Sequence, residues 1–162
     1  MPSNAILSAC ERYRYQLSRD WDAGPGREDR VVFVMLNPST ADAVQDDATI
    51  RRCIGYGKAW GYAGIVVVNL FAYRAKSPDV LHTIRDPIGP ENRRHIEQAV
   101  KESGGPVVCA WGTNGSYLDQ DQAVLGWIRA LGISPMVLKL TNQGSPSHPL
   151  YLPGRLTPVP WV

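Results

Sequence analysis

Two asparagines and one histidine stand where this chain could do chemistry. The apolar run at 31–36 breaks into Asn37-Pro38-Ser39-Thr40, and the run at 65–68 breaks into Asn69-Leu70-Phe71. Pro38 fixes its own φ, lacks an N–H and biases Asn37 toward an extended conformation. The amide of Asn37 and the hydroxyl of Ser39 then sit on a stiff mount, although the same residues also make an ordinary strand-to-turn exit. Asn69 directly follows consecutive valines. An amide buried there costs roughly 1–3 kcal/mol unless it finds partners. It either bonds neighbouring backbone or offers a paired donor and acceptor to the amide edge of a ligand such as a pyrimidine base. Phe71 is then a stacking face for that ring, or else a core residue. His148 lies in the proline-stiffened loop Gly144-Ser145-Pro146-Ser147-His148-Pro149. A histidine there can donate to negative charge developing on a leaving group. Asp42 is a turn residue first and a candidate general base second.

A scaffold must bring these residues together. Apolar, β-branched runs predict buried strands over 31–36, 65–70, 107–111 and 135–140. Helices are expected over 47–60, capped by Asp46 or Asp47, over 90–102, and over 117–131, closed by Gly132. The alternating, aromatic-rich stretch 12–21 predicts a strand at the sheet edge, followed by a turn at 23–26. The proline-rich tail 141–162 is expected as ordered coil. Strands alternating with helices imply an α/β fold. It is a three-layer α/β/α sandwich, with a central, mainly parallel four-stranded sheet and one antiparallel edge strand. All parallel strands end on one edge. Asn37, Asn69, the stretch Trp111-Gly112-Thr113-Asn114 and His148 therefore converge there.

With 162 residues, the chain is expected to form a single domain over 1–162. Its formal net charge of +2 neither requires nor excludes nucleic acid. A local excess of Arg51, Arg52, Lys58, Arg74, Lys76 and Arg85, interleaved with Tyr56, Trp60, Tyr62 and Tyr73, suits phosphate contact and stacking or a solvated helix face. Cys10, Cys53 and Cys109 form no CxxC pair, so neither a metal centre nor a disulfide framework is expected. No run reaches membrane-spanning length and no signal-peptide pattern opens the chain, which points to the cytoplasm. The glycines at 55, 57 and 61 lack dinucleotide-fingerprint spacing and follow a helix. Nothing sets the oligomeric state, and a monomer is assumed.

The strings MLNPSTAD (35–42), DDATIRRC (46–53), VVVNLFAYR (66–74), DPIGPEN (86–92), AWG (110–112) and SHPLYLP (147–153) together resemble a bacterial and phage family known as a domain of unknown function. At lower resolution the same motifs are similar to the uracil-DNA glycosylase superfamily. That resemblance implies a glycosylase-like fold and hydrolysis of an N-glycosidic bond in DNA, in a DNA-repair role, after the base is flipped out, with no metal or cofactor. It gives Asn37 the role of positioning water, Asn69 that of reading the base, Phe71 that of stacking on it and His148 that of stabilising the departing base. Leu150 and Tyr151 would wedge into the duplex. Trp111 matches the end of the superfamily's third core strand. Met35 and Ser39 stand where the superfamily has glycines, and Leu150 where it has serine. Two further readings remain open: a module that binds a modified base or nucleotide without cutting it, and an enzyme on free nucleosides or nucleotides.

Overall fold

The computed structural model describes residues 3–21 and 28–161. The turn expected at 23–26 lies outside them. In chain order the elements are β1 (Ser3–Leu7), β2 (Arg14–Asp20), β3 (Arg30–Met35), α1 (Ala48–Ala59), β4 (Gly64–Asn69), α2 (Asn92–Glu102), β5 (Gly104–Cys109), α3 (Gln120–Ala130), β6 (Met136–Val137) and β7 (Val159–Pro160). Short 3-10 segments cover Pro78–Thr83, Thr113–Asp119 and Pro149–Tyr151.

The seven strands form one mixed sheet in the order β1-β2-β4-β3-β5-β6-β7. β4, β3, β5 and β6 run parallel, while β1, β2 and β7 are antiparallel additions. β3 and β4 are buried on both faces, as their unbroken apolar sequences require. Alternation then sorts their side chains. Val31, Phe33, Met35, Ile65 and Val67 pack with Ile50, Cys53 and Tyr56 of α1. Val32, Val34, Val66 and Val68 pack with Ile96 and Val100 of α2 and with Val124 and Ile128 of α3. Helices therefore cover both faces. Each such aliphatic side chain contributes roughly 1.5–3 kcal/mol by leaving water.

Several boundaries differ from the sequence reading. β2 is antiparallel but not the edge, because β1 pairs along its outer side from Ser3 to Leu7. The fourth parallel strand shrinks to two residues. Past Val137 the chain pairs with its own return, Ser147 N–H donating to the Lys139 carbonyl and Leu140 bridging Pro146. The tail is not all coil, since β7 adds a strand beside β6. α3 starts at Gln120, because Tyr117 and Leu118 have non-helical backbone. Gly104, at φ +73, ends the turn after α2 and opens β5 in one step.

The parallel order fixes where a ligand can sit. The chain leaves β3 for β4 on one side, then crosses over to β5 on the other. The switch point therefore lies between the C-terminal ends of β3 and β5, where open α/β sheets form a crevice. Among the described residues, no helix is long and apolar enough to cross a membrane.

Candidate functional site

A cavity of about 550 Å³ opens at that switch point. Asn37, Pro38 and Ser39 after β3, Asn69 at the end of β4, Trp111 after β5, and His148, Leu150 and Tyr151 from the tail all line it. Eight of the ten residues singled out from sequence are thus together. Phe71 and Asp42 are not among the lining residues. Phe71 has no exposed surface and packs against the Tyr117 ring in the core, so it offers no face to a ligand in the cavity. Asp42 closes a turn instead, its Oδ1 accepting from the N–H groups of Val44 and Gln45. Those bonds lower its pKa and leave it a poor general base.

Each lining group has a traceable support. Met35 and Leu36 carbonyls accept from Leu70 and Phe71 N–H groups, which continues the β3–β4 ladder past the strand ends. Asn37 Nδ2 donates to the carbonyls of Ala75 (2.8 Å) and Pro38 (3.1 Å). Two carbonyl acceptors settle which end of the amide is nitrogen, so Oδ1 is the end left to accept. Gly112 at φ +80 donates its N–H to the Pro146 carbonyl at 2.7 Å, which draws the 141–147 loop onto the exit of β5. The next segment is anchored to α1 by Tyr56 OH on the Pro153 carbonyl (2.7 Å) and Trp60 Nε1–H on the Leu156 carbonyl (2.9 Å). The aromatics Tyr56 and Trp60, read from sequence as stacking surfaces, are instead tethers. Of the basic cluster only Lys76 lines the cavity.

His148 Nδ1 accepts from the Leu150 N–H at 3.2 Å. The ring proton therefore sits on Nε2, which becomes the donor. Burial lowers its pKa, against the opposing pull of Asp47, so the ring is neutral at neutral pH.

Three charged lining residues, Asp47, Lys76 and Arg14, were not recognised as site residues from sequence. Asp47 caps α1 through Oδ1, which accepts from Ile50 N–H at 2.9 Å, and it lines the cavity. The sequence signal at DDATIRR was a helix cap, and the cap is real; what it did not reveal is that the cap faces the crevice. Lys76 had been read only as part of the basic cluster. Arg14 was hidden in an apparent edge strand. It is 2% exposed, and its Nη1 donates to the Ala41 carbonyl at 3.0 Å. Burial brings its pKa down to about 10, so it stays charged at neutral pH.

Polar matching fails at this site. Asn69 is 1% exposed, and among the described residues neither its Nδ2 nor its Oδ1 has a hydrogen-bond partner. Arg14 Nε is equally without one there. Among the described residues, no group of three or more His, Cys, Asp or Glu side chains is placed to hold a metal ion.

A crevice lined by both polar and apolar residues thus opens at a switch point of a doubly covered sheet, in a protein of the α/β class. The sequence profile of the family described as "Protein of unknown function (DUF1643)" matches residues 14–150, and the chain belongs to that family. No curated protein and no solved structure matches it.

Proposed function

We propose that the cavity receives a nucleobase and that the protein hydrolyses its N-glycosidic bond, with DNA as substrate. The observation that carries this is the cavity-lining residue Asn69, whose buried side-chain amide has no partner among the described residues. Such a group costs roughly 1–3 kcal/mol in the empty protein, and a base edge supplies both the donor and the acceptor it lacks. The cavity volume falls in the usual range of roughly 300–1,000 Å³ for small-ligand sites. The likeness of the motifs to uracil-DNA glycosylases points the same way.

In this reading Asn37 Oδ1 accepts from the attacking water and aims it at C1′. The Asp47 carboxylate takes the proton that the water loses. His148 Nε2–H donates to the base as the C1′–N bond breaks, and a neutral donor suits a developing anion without giving up its proton. Tyr151, 84% exposed at the rim, and Leu150 fill the gap that a flipped nucleotide leaves.

The test is base release from single- and double-stranded oligonucleotides carrying uracil, hypoxanthine, xanthine or hydroxymethyluracil, read by mass spectrometry. Asn37→Ala and His148→Ala should each lose roughly 100-fold or more in rate while remaining folded. Full activity in Asn37→Ala would sink the assignment. A second reading, a base-binding module that does not cut, is favoured by Met35 and Ser39 occupying the cavity wall where the similar motif has glycines. Retention of one oligonucleotide without released base would select it. Binding that does not weaken steeply with salt would move the substrate to free nucleotides.

A further inference from the structure

A second concavity, of about 430 Å³, lies between α1 and the 150–154 segment. Ala48, Arg51, Arg52 and Gly55 line it from the helix, at the spacing of one helix face, and Leu150 and Gly154 line it from the segment. Ala48 and Leu150 also line the main cavity, so the two concavities meet there. The groove is open along the helix: Gly55 is exposed, and a Cβ added to it would meet no atom within 4 Å. Arg51 is exposed and Arg52 half-buried. Arg51 Nη1 donates to the Asp46 carbonyl at 3.1 Å, and Arg52 Nη2 to the Leu150 carbonyl at 3.5 Å. No carboxylate lines the groove, and neither arginine joins an ion pair among the described residues. Of the acids just before α1, Asp46 pairs with Arg19 and Asp47 caps the helix. Lys58, the remaining cation of α1, lies over the Trp21 ring. The outer face of α2 is the contrast, for there Arg93 meets Glu97 at 3.3 Å and Arg94 meets Glu91 at 2.9 Å.

Two neighbouring guanidiniums without a carboxylate favour an oxo-anion, and their planar forks suit phosphate oxygens. We infer that the groove is a phosphodiester track: the strand whose nucleotide enters the cavity lays its backbone along α1, with phosphates on Arg51 and Arg52. The inference rests on the hydrolase reading and adds the surface that holds the rest of its substrate. A base in the cavity stays joined to its strand, and the cavity lining supplies one exposed cation, Lys76, for the phosphates. The strand must therefore leave over a neighbouring surface, and the junction at Ala48 and Leu150 is an exit toward two more cations. Glycine at 55 keeps that path clear, since any longer side chain there would stand in it. Contacts of this kind position a strand and read no sequence.

The experiment is fluorescence anisotropy with labelled single-stranded oligonucleotides of several sequences over a salt series, beside deoxyuridine monophosphate as a competitor. Arg51→Gln and Arg52→Gln should each weaken every oligonucleotide roughly tenfold. Each should also flatten the slope of log affinity against log salt by about 0.7. Gly55→Glu keeps both arginines, replaces a poor helix former and sets a carboxylate in the track, so it should lose at least as much. Arg93→Gln makes the same change in net charge at a paired site and should leave the slope as in the parent. If Arg52→Gln does not fold, the variants at the exposed positions 51 and 55 still decide. No oligonucleotide binding, equal losses in Arg93→Gln and Arg51→Gln, or an unchanged affinity in Gly55→Glu would overturn the track. So would a monophosphate weakened by Gly55→Glu as much as the oligonucleotides, which would put a single terminal phosphate in the groove. Binding that depends on Arg51 and Gly55, with no base released from any oligonucleotide, would remove the hydrolase and leave the track standing. Full-rate base release at limiting substrate by Arg51→Gln and Gly55→Glu, with Asn37→Ala inactive, would remove the track and leave the hydrolase.

Discussion

Arg19 and Arg14 leave the same strand with nearly the same burial, 1% and 2% exposed, and meet opposite surroundings. Arg19 pairs with Asp46 at 2.8 Å and donates to the carbonyls of Asn4, Ser18, Asp42 and Gln45. It ties the 42–46 loop to the paired strands β1 and β2. Arg14 has one carbonyl and an idle Nε–H. Two asparagines repeat the contrast. Asn92 Nδ2 donates to the carbonyls of Asn69 (2.9 Å) and Leu70 (3.1 Å), and only its Oδ1 is unmatched. Asn69, whose own carbonyl it holds, has both side-chain atoms unmatched. The clamp and the strut finish the fold. Arg14 Nε and both side-chain polar atoms of Asn69 stay unmatched among the described residues.

The largest effect that can break this comparison is on Arg19. Arg19→Met strands Asp46 and the loop carbonyls, and should cost about 3–5 kcal/mol in urea unfolding. Arg14→Met, with one carbonyl to lose, should cost clearly less. Equal losses would mean that both arginines are structural. Next comes Asn92→Leu, expected to cost roughly 1–3 kcal/mol, because it frees the Asn69 carbonyl while Leu70 keeps its bond from Gln120.

How much of this was legible in sequence follows from the same residues. Asn37, Asn69 and His148 were visible because each interrupts an apolar or proline-framed run, and because parallel strands must end on one edge. A cap at Asp46 or Asp47 was visible for its own local reason, and the structure selects Asp47. Arg14 was not, since its burial comes from β1 and the 41–47 loop packing over β2, and neither has a periodic signal. β1 is a five-residue strand with mixed exposure, and β7 contains a proline, so neither announces itself. Phe71 could not be assigned to core or ligand from its neighbours. That choice depends on Tyr117, distant in sequence, which reaches it through an irregular 3-10 segment. Asp42 and Asp47 are both turn-type acids, and only the path of the loop decides which one meets the crevice.

A smaller effect sharpens the role of His148. Its ordinary pKa of 6.5 is lowered in the fold by burial, so the unfolded chain takes up a proton first as the pH falls. Stability is therefore full above about 6.5 and declines below it, down through the lowered folded value. His95, lowered chiefly by burial, adds to the same window. Urea midpoints across that range should show a shallower decline in His148→Gln. An unchanged slope would contradict a buried, neutral ring.

The most direct measurement is the unfolding free energy of Asn69→Leu, taken with its base binding. A near-isosteric apolar side chain removes two unmatched buried atoms and breaks no bond. The variant should therefore be as stable as the parent, or about 1 kcal/mol more so, and should no longer bind a base. A loss of stability matching that of Asn92→Leu, with base binding unaffected, would show that the Asn69 amide serves the fold and not a ligand.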